Sequence, residues 1–125
     1  MTKEEKELLL KDLSARLQYG LILHDEYNKK DYELKCIDAN GFINYDLANT
    51  ITYIKPYLRP LSSMTEEERL IYEQRLHDVG RSIDVIDADD VVSHIDWLLE
   101  RHFDFRGLIP MGLALEAPEG MYNNI

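Results

Sequence analysis

One cysteine, Cys36, stands in the whole chain, so no internal disulfide can form. Apolar residues never run to the ~20 needed to cross a bilayer. The opening MTKEEKELLL is a charged helix start and lacks the apolar core of a signal peptide. Together these absences give the expectation of a cytoplasmic protein with no membrane partner. Basic residues are scarce as well: 14 Lys and Arg face 24 Asp and Glu, for a net charge of −10. The deficit is local. Residues 61–125 carry five basic against fourteen acidic side chains, a net of −9. Such a surface repels a phosphate backbone, so direct nucleic-acid binding is not expected. Solvated helix faces account for the charge most simply.

Signatures of chemistry are missing too. The chain has neither a P-loop nor a dinucleotide fingerprint. His24, His77, His94 and His102 form no HExxH pair and have no cysteine cluster to join. Asp84, Asp87, Asp89 and Asp90 do not follow the spacing of a calcium loop and lack its turn glycine; helix capping explains them. Cys36 falls in the alternation of a half-buried strand, the setting of a structural thiol. Asp104-Phe105-Arg106-Gly107 differs from a kinase DFG in spacing and has no phosphate loop to serve. No metal or other cofactor is expected, and the reading leans away from an enzyme. A site assembled from carboxylates that meet only in space is the one catalytic route left open.

What is present suits one domain, residues 1–125, large enough to bury roughly two-thirds of its unfolded surface. The stretch 87–122 is the best marked. Asp87 is a natural N-cap, and Asp89 and Asp90 suit the positive end of a helix dipole. Val91, Ile95, Leu98 and His102 follow at helical spacing, with Val92 and Leu99 widening the stripe. Trp97 lies off that stripe, toward one edge. Arg101 and His102 fall in the last turn, where cations are favoured. Residues 104–117 are too apolar for a free tail and read as an ordered wrap, punctuated by Gly107, Pro110 and Gly112. The expectation is that the rest of the chain packs on this helix and its wrap.

The remaining elements are read in order. Thr2 and Glu5 form a capping box for a first helix running to about Gln18, with Leu9, Leu10, Leu13 and Leu17 as its stripe and Gly20 as its stop. Strands are expected at 21–24, 32–36, 42–45 and 50–54, with a type I′ turn at Asn40-Gly41. Residues 55–60, with two prolines, read as an extended connector. Thr65 and Glu68 form a second capping box for a helix ending at Gly80, with Ile71, Tyr72, Leu76 and Val79 facing inward. The fold class is therefore α+β: an N-terminal helix, a small antiparallel meander of three or four strands, two helices and a wrapped C-terminal segment.

Two segments, KPYLRPLSSMTEEE (55–68) and IDWLLERHFDFRGLIPMGLALEAPEGMY (95–122), together with Arg16-Leu17-Gln18-Tyr19-Gly20, carry a resemblance. The chain resembles an uncharacterised family of small proteins encoded in phages and prophage-like elements of gut bacteria. The resemblance brings no activity, so no residue inherits a role from it. On the residues alone, Tyr53, Tyr57 and Arg59 are the candidate interaction surface, because Tyr and Arg are typical interface anchors; packing of the connector across a sheet edge is the plainer account. The reading is a non-enzymatic accessory module that binds another protein. Two alternatives stand beside it: an acidic mimic of DNA that inhibits a host nucleic-acid-binding protein, and an enzyme with an unrecognised site.

Overall fold

The computed structural model describes residues 1–44, 49–80 and 88–122. The fold is α+β. Among the described residues there are three helices, α1 (Lys3–Ala15), α2 (Glu66–Gly80) and α3 (Ala88–Glu100). The strands are β1 (Ile22–Asp25), β2 (Lys30–Glu33), β3 (Phe42–Ile43), β4 (Asn49–Thr50), β5 (Ile54–Leu58) and β6 (Leu115–Glu116). Four of these form one sheet in the order β2-β1-β5-β6, and β3 pairs with β4 in a separate ribbon. The pairs β1–β2 and β1–β5 are antiparallel, whereas β5–β6 is parallel. The expected antiparallel meander is thus a mixed sheet, because the C-terminal wrap supplies its last strand.

The largest departure from expectation is β5. Pro56 and Pro60 predict a connector over 55–60, yet Ile54–Leu58 is an interior strand of the sheet. Pro56 sits opposite Leu23, one residue out of step with the Glu26 N–H to Tyr53 C=O bond. By antiparallel alternation that is a non-hydrogen-bonded position, where β1 asks for no donor. On the other side, pairing with β6 begins only at Tyr57. The missing N–H therefore falls where neither neighbour needs it. The strand expected at 50–54 is split accordingly, into β4 and a 3₁₀ turn at Ile51–Tyr53.

Other expectations shift in smaller ways. The Thr2–Glu5 capping box is present, but α1 ends at Ala15, short of Gln18. At the β2–β3 connection only Gly41 has positive φ, and the Asp38 carboxylate accepts from the N–H groups of Asn40 and Phe42. The turn is thus set by Asp38, not by a type I′ Asn-Gly pair. Past Glu33, the Asn44 side chain takes the place of a partner strand, accepting from Lys35 N–H at 2.7 Å and donating to the Glu33 carbonyl at 2.7 Å. Cys36 is half-buried and outside any strand. Tyr45, the 81–86 link, Asp84, the Asp87 cap and the last three residues lie outside the described residues.

Among the described residues two hydrophobic clusters hold the elements together. The larger joins Leu9 and Leu13 of α1, Leu23 of β1, Ile54 and Leu58 of β5, and Leu108 and Leu113 of the wrap. The smaller joins Trp97 and Leu98 of α3 to Phe103, with Met64, Ile71, Tyr72 and Phe105 against them. The organising element is therefore β5 with α1 and the wrap, and α3 belongs to the secondary cluster. Its stripe is also divided. Leu98, Leu99 and His102 are buried, but Val92 is 55% and Ile95 38% exposed, and the off-stripe Trp97 is buried. On α2, Leu76 is exposed although the spacing placed it inward.

A buried polar seam joins α1 to the wrap. Arg16 donates from Nε to Asp12 at 2.8 Å and from Nη2 to the Phe103 carbonyl at 2.6 Å. Arg106 donates to the same Asp12 at 3.1 Å. Two guanidiniums on one buried carboxylate give the pairing that a buried charge requires.

Candidate functional site

The three residues picked from the sequence each meet a different partner. Tyr53 lies in the 3₁₀ turn with its ring 5.7 Å from that of the exposed Tyr27. Tyr57 lies on the outer face of the sheet, where its hydroxyl donates to Asp31 at 3.0 Å. That carboxylate also holds His24 Nδ1 at 2.8 Å. Burial, together with the Asp31 bond and charge, raises the Tyr57 phenol above its ordinary value. Arg59 reaches Glu68 on α2.

Arg59 is the start of the best-formed site. The strand ends at Leu58, and the backbone of Arg59 is gripped by the residues after α3: its N–H donates to His102 and its carbonyl accepts from Asp104, each at 2.8 Å. The guanidinium lies 4.3 Å over the Phe103 ring. It meets Glu68 in a two-point bond, Nη1 to Oε2 at 2.9 Å and Nη2 to Oε1 at 2.6 Å. Glu68 is held from its own helix by the capping box, accepting from Thr65 N–H at 3.0 Å while its N–H donates to the Thr65 hydroxyl at 3.1 Å. Arg101, just past α3, adds a third contact to Glu68 at 3.4 Å and lies 5.4 Å over Trp97. Burial of Glu68 opposes its charge, but the Arg59 bonds and the Thr65 N–H outweigh it and hold the carboxyl at about 2. One carboxylate thus serves two arginines and a helix cap.

Above this triad opens a cleft of about 670 Å³, walled by the first turn of α2 on one side and residues 116–120 with Tyr122 on the other. Glu67, Glu116 and Glu119 are exposed at its margin. Capping and dipole rules assign Glu68 and Arg101 only helix-end roles. The Thr65–Glu68 spacing fixed where the carboxylate sits; nothing local announced that Arg59 and Arg101 would converge on it.

Next to the cleft lies His102, at φ 62°, the left-handed residue that ends α3. Its N–H bonds Leu99 and the next N–H bonds Leu98, the two bonds of a Schellman ending. Glycine is the usual choice there, so the position is strained for histidine. Its ring is buried and stacks on Tyr122 at 3.9 Å. Burial and the nearby Arg16 push its pKa down to about 4, against a weaker opposing pull from the Tyr19 carbonyl. The capping cation expected from sequence is therefore a neutral ring at pH 7. Tyr122 in turn places its hydroxyl between β1 and β5, accepting from Ile22 N–H at 3.0 Å and donating to the Tyr57 carbonyl at 2.9 Å. By antiparallel alternation Ile22 and Tyr57 stand at the next hydrogen-bonding position, one pair past Leu23 and Pro56. The hydroxyl relays a ladder bond across a gap that the splayed strands leave. Desolvation carries its pKa up to about 12.

Among the described residues no group of three or more His, Cys, Asp or Glu side chains is arranged to hold a metal ion. No described helix is long and apolar enough to cross a membrane. No protein-family model, curated protein or solved structure matches the chain.

Proposed function

We propose that the chain is a non-enzymatic protein-interaction module, an accessory protein of a phage or mobile element, which docks through the outer face of α3. One observation supports this above others: a helix with a strong apolar stripe buries only half of it. Leu98 and Leu99 are covered, while Val92 and Ile95 lead the same stripe into solvent. A contiguous exposed apolar patch rimmed by polar residues is a mark of interaction sites. Asp96 and Glu100, both exposed, border the stripe. The fitting partner is a protein surface with an apolar centre and a basic fringe. The origin in a phage or mobile element rests on the resemblance of residues 55–68 and 95–122 and belongs to the same proposal.

The mimicry of DNA draws less support. Glu68 and Asp104, two of the acidic residues behind it, are buried and held by internal bonds.

The test compares the intact protein with Val92→Asp/Ile95→Asp. Proteins retained from a host lysate are purified and their binding is remeasured. The proposal expects a partner that binds the wild type, weakens with added salt, and is lost by a variant whose melting temperature is unchanged. Equal retention by both proteins refutes the docking face. No retained protein, with a clean monomer in solution, refutes the module.

A further inference from the structure

We infer that the cleft between α2 and residues 116–122 receives the free C-terminal carboxylate of a peptide chain whose preceding residues are basic. The inference rests on the protein-interaction reading but uses a different face from the α3 stripe.

The floor of the cleft supplies the carboxylate site. Arg59 and Arg101 bring two positive charges to a single carboxylate, so the triad has a net charge of +1. Glu68 has only one acceptor position left for Arg101, since two Arg59 bonds and the Thr65 N–H already engage it. The Arg101 contact, at 3.4 Å, is well beyond the ~2.7–2.9 Å of a charge-assisted bond. Its Nε is buried and meets no acceptor among the described residues. Arg101 is thus a cation with donors still to satisfy, fixed in place by Trp97 beneath it. A planar carboxylate is the anion whose geometry matches a guanidinium edge.

The margin of the cleft selects what accompanies that carboxylate. Glu67, Glu116 and Glu119 ring the opening. A nucleotide or another polyanion would bring several negative charges past three carboxylates. A chain terminus brings one, and Lys or Arg side chains just before it meet the margin with opposite charge. Ile71, Pro118 and Tyr122 offer apolar wall for a terminal aliphatic side chain. The volume, about 670 Å³, lies within the range of roughly 300–1,000 Å³ usual for ligand clefts. Capture of chain termini by fixed donors is an established mode of peptide recognition.

Fluorescence anisotropy of labelled peptides on the intact protein tests this. The probe is Ala-Lys-Lys-Ala-Leu with a free carboxylate, compared with its C-terminal amide and with Ala-Glu-Glu-Ala-Leu. The free acid is expected to bind saturably, with the amide and the glutamate peptide each at least about tenfold weaker. Arg101→Gln should weaken the acid roughly 10- to 100-fold and leave the amide unchanged. Circular dichroism confirms that this variant folds, and the acid–amide comparison needs no variant. Val92→Asp/Ile95→Asp should bind the acid as the wild type does, so a failed docking face and a failed cleft give different results. Equal binding of acid and amide overturns the inference, and so does an acid peptide that does not bind at millimolar concentration.

Discussion

Glu68→Gln is the sharpest test of how the two halves of the molecule are joined. The substitution keeps the shape of the side chain and removes its charge. It strands Arg59, whose side chain is 17% exposed, and Arg101, at 24%, both of which pair with Glu68. Removing one member of a buried pair costs about 3–5 kcal/mol, because the partner charge is left behind. The partial exposure of both arginines puts this triad at the lower end. Linkage gives a second route to the magnitude. A carboxyl moved from its ordinary 4.5 to about 2 contributes about 3 kcal/mol. Its folded pKa is depressed, so the contribution is complete above pH 4.5 and disappears as pH falls toward 2. For a chain of this length, 3 kcal/mol is about 12 °C in melting temperature. Urea melts followed by circular dichroism at several pH values give the stability of both proteins. The variant should be about 2–3 kcal/mol less stable at pH 7, and the difference should close as pH falls through the window from 4.5 to 2. A variant within 0.5 kcal/mol of wild type at pH 7, with a parallel pH profile, would show that the triad does not hold α2 to the sheet.

Three further outcomes follow from the same structure. His102 is neutral when folded, with a pKa of about 4 against an ordinary 6.5. Protons therefore favour the unfolded chain as pH falls from 6.5 to 4, a loss reaching about 3 kcal/mol; in His102→Gln, urea melts should show that part of the pH dependence gone. Tyr122→Phe leaves Ile22 N–H and the Tyr57 carbonyl without their shared hydroxyl. It should lower stability by about 1–3 kcal/mol and speed hydrogen exchange at Ile22, measured by NMR. Leu13→Ala, at a fully buried position, should cost about 2–5 kcal/mol in a denaturant melt. Ile95→Ala, on the exposed part of the α3 stripe, should stay within about 0.5 kcal/mol.

The α+β class, the three helices and both capping boxes follow from sequence alone. Each rests on interactions within one turn: Thr2 with Glu5 and Thr65 with Glu68 lie three residues apart in any conformation that starts a helix. The ordered wrap was also legible, because its apolar content leaves it no stable existence in water. Tertiary structure alone decided what lies between elements. Pro56 reads as a strand breaker until its neighbours are known to need no donor there. The α3 stripe has one periodicity along its length, and only the position of Phe103 and the smaller cluster determines that Leu98 is covered and Val92 is not. Arg59 meets Glu68 nine residues on, and Arg101 meets the same carboxylate from 33 residues away. Periodicity and capping are local and leave their pattern in neighbouring residues. Register, burial and the convergence of charges depend on contacts across the chain, which no short window of sequence contains.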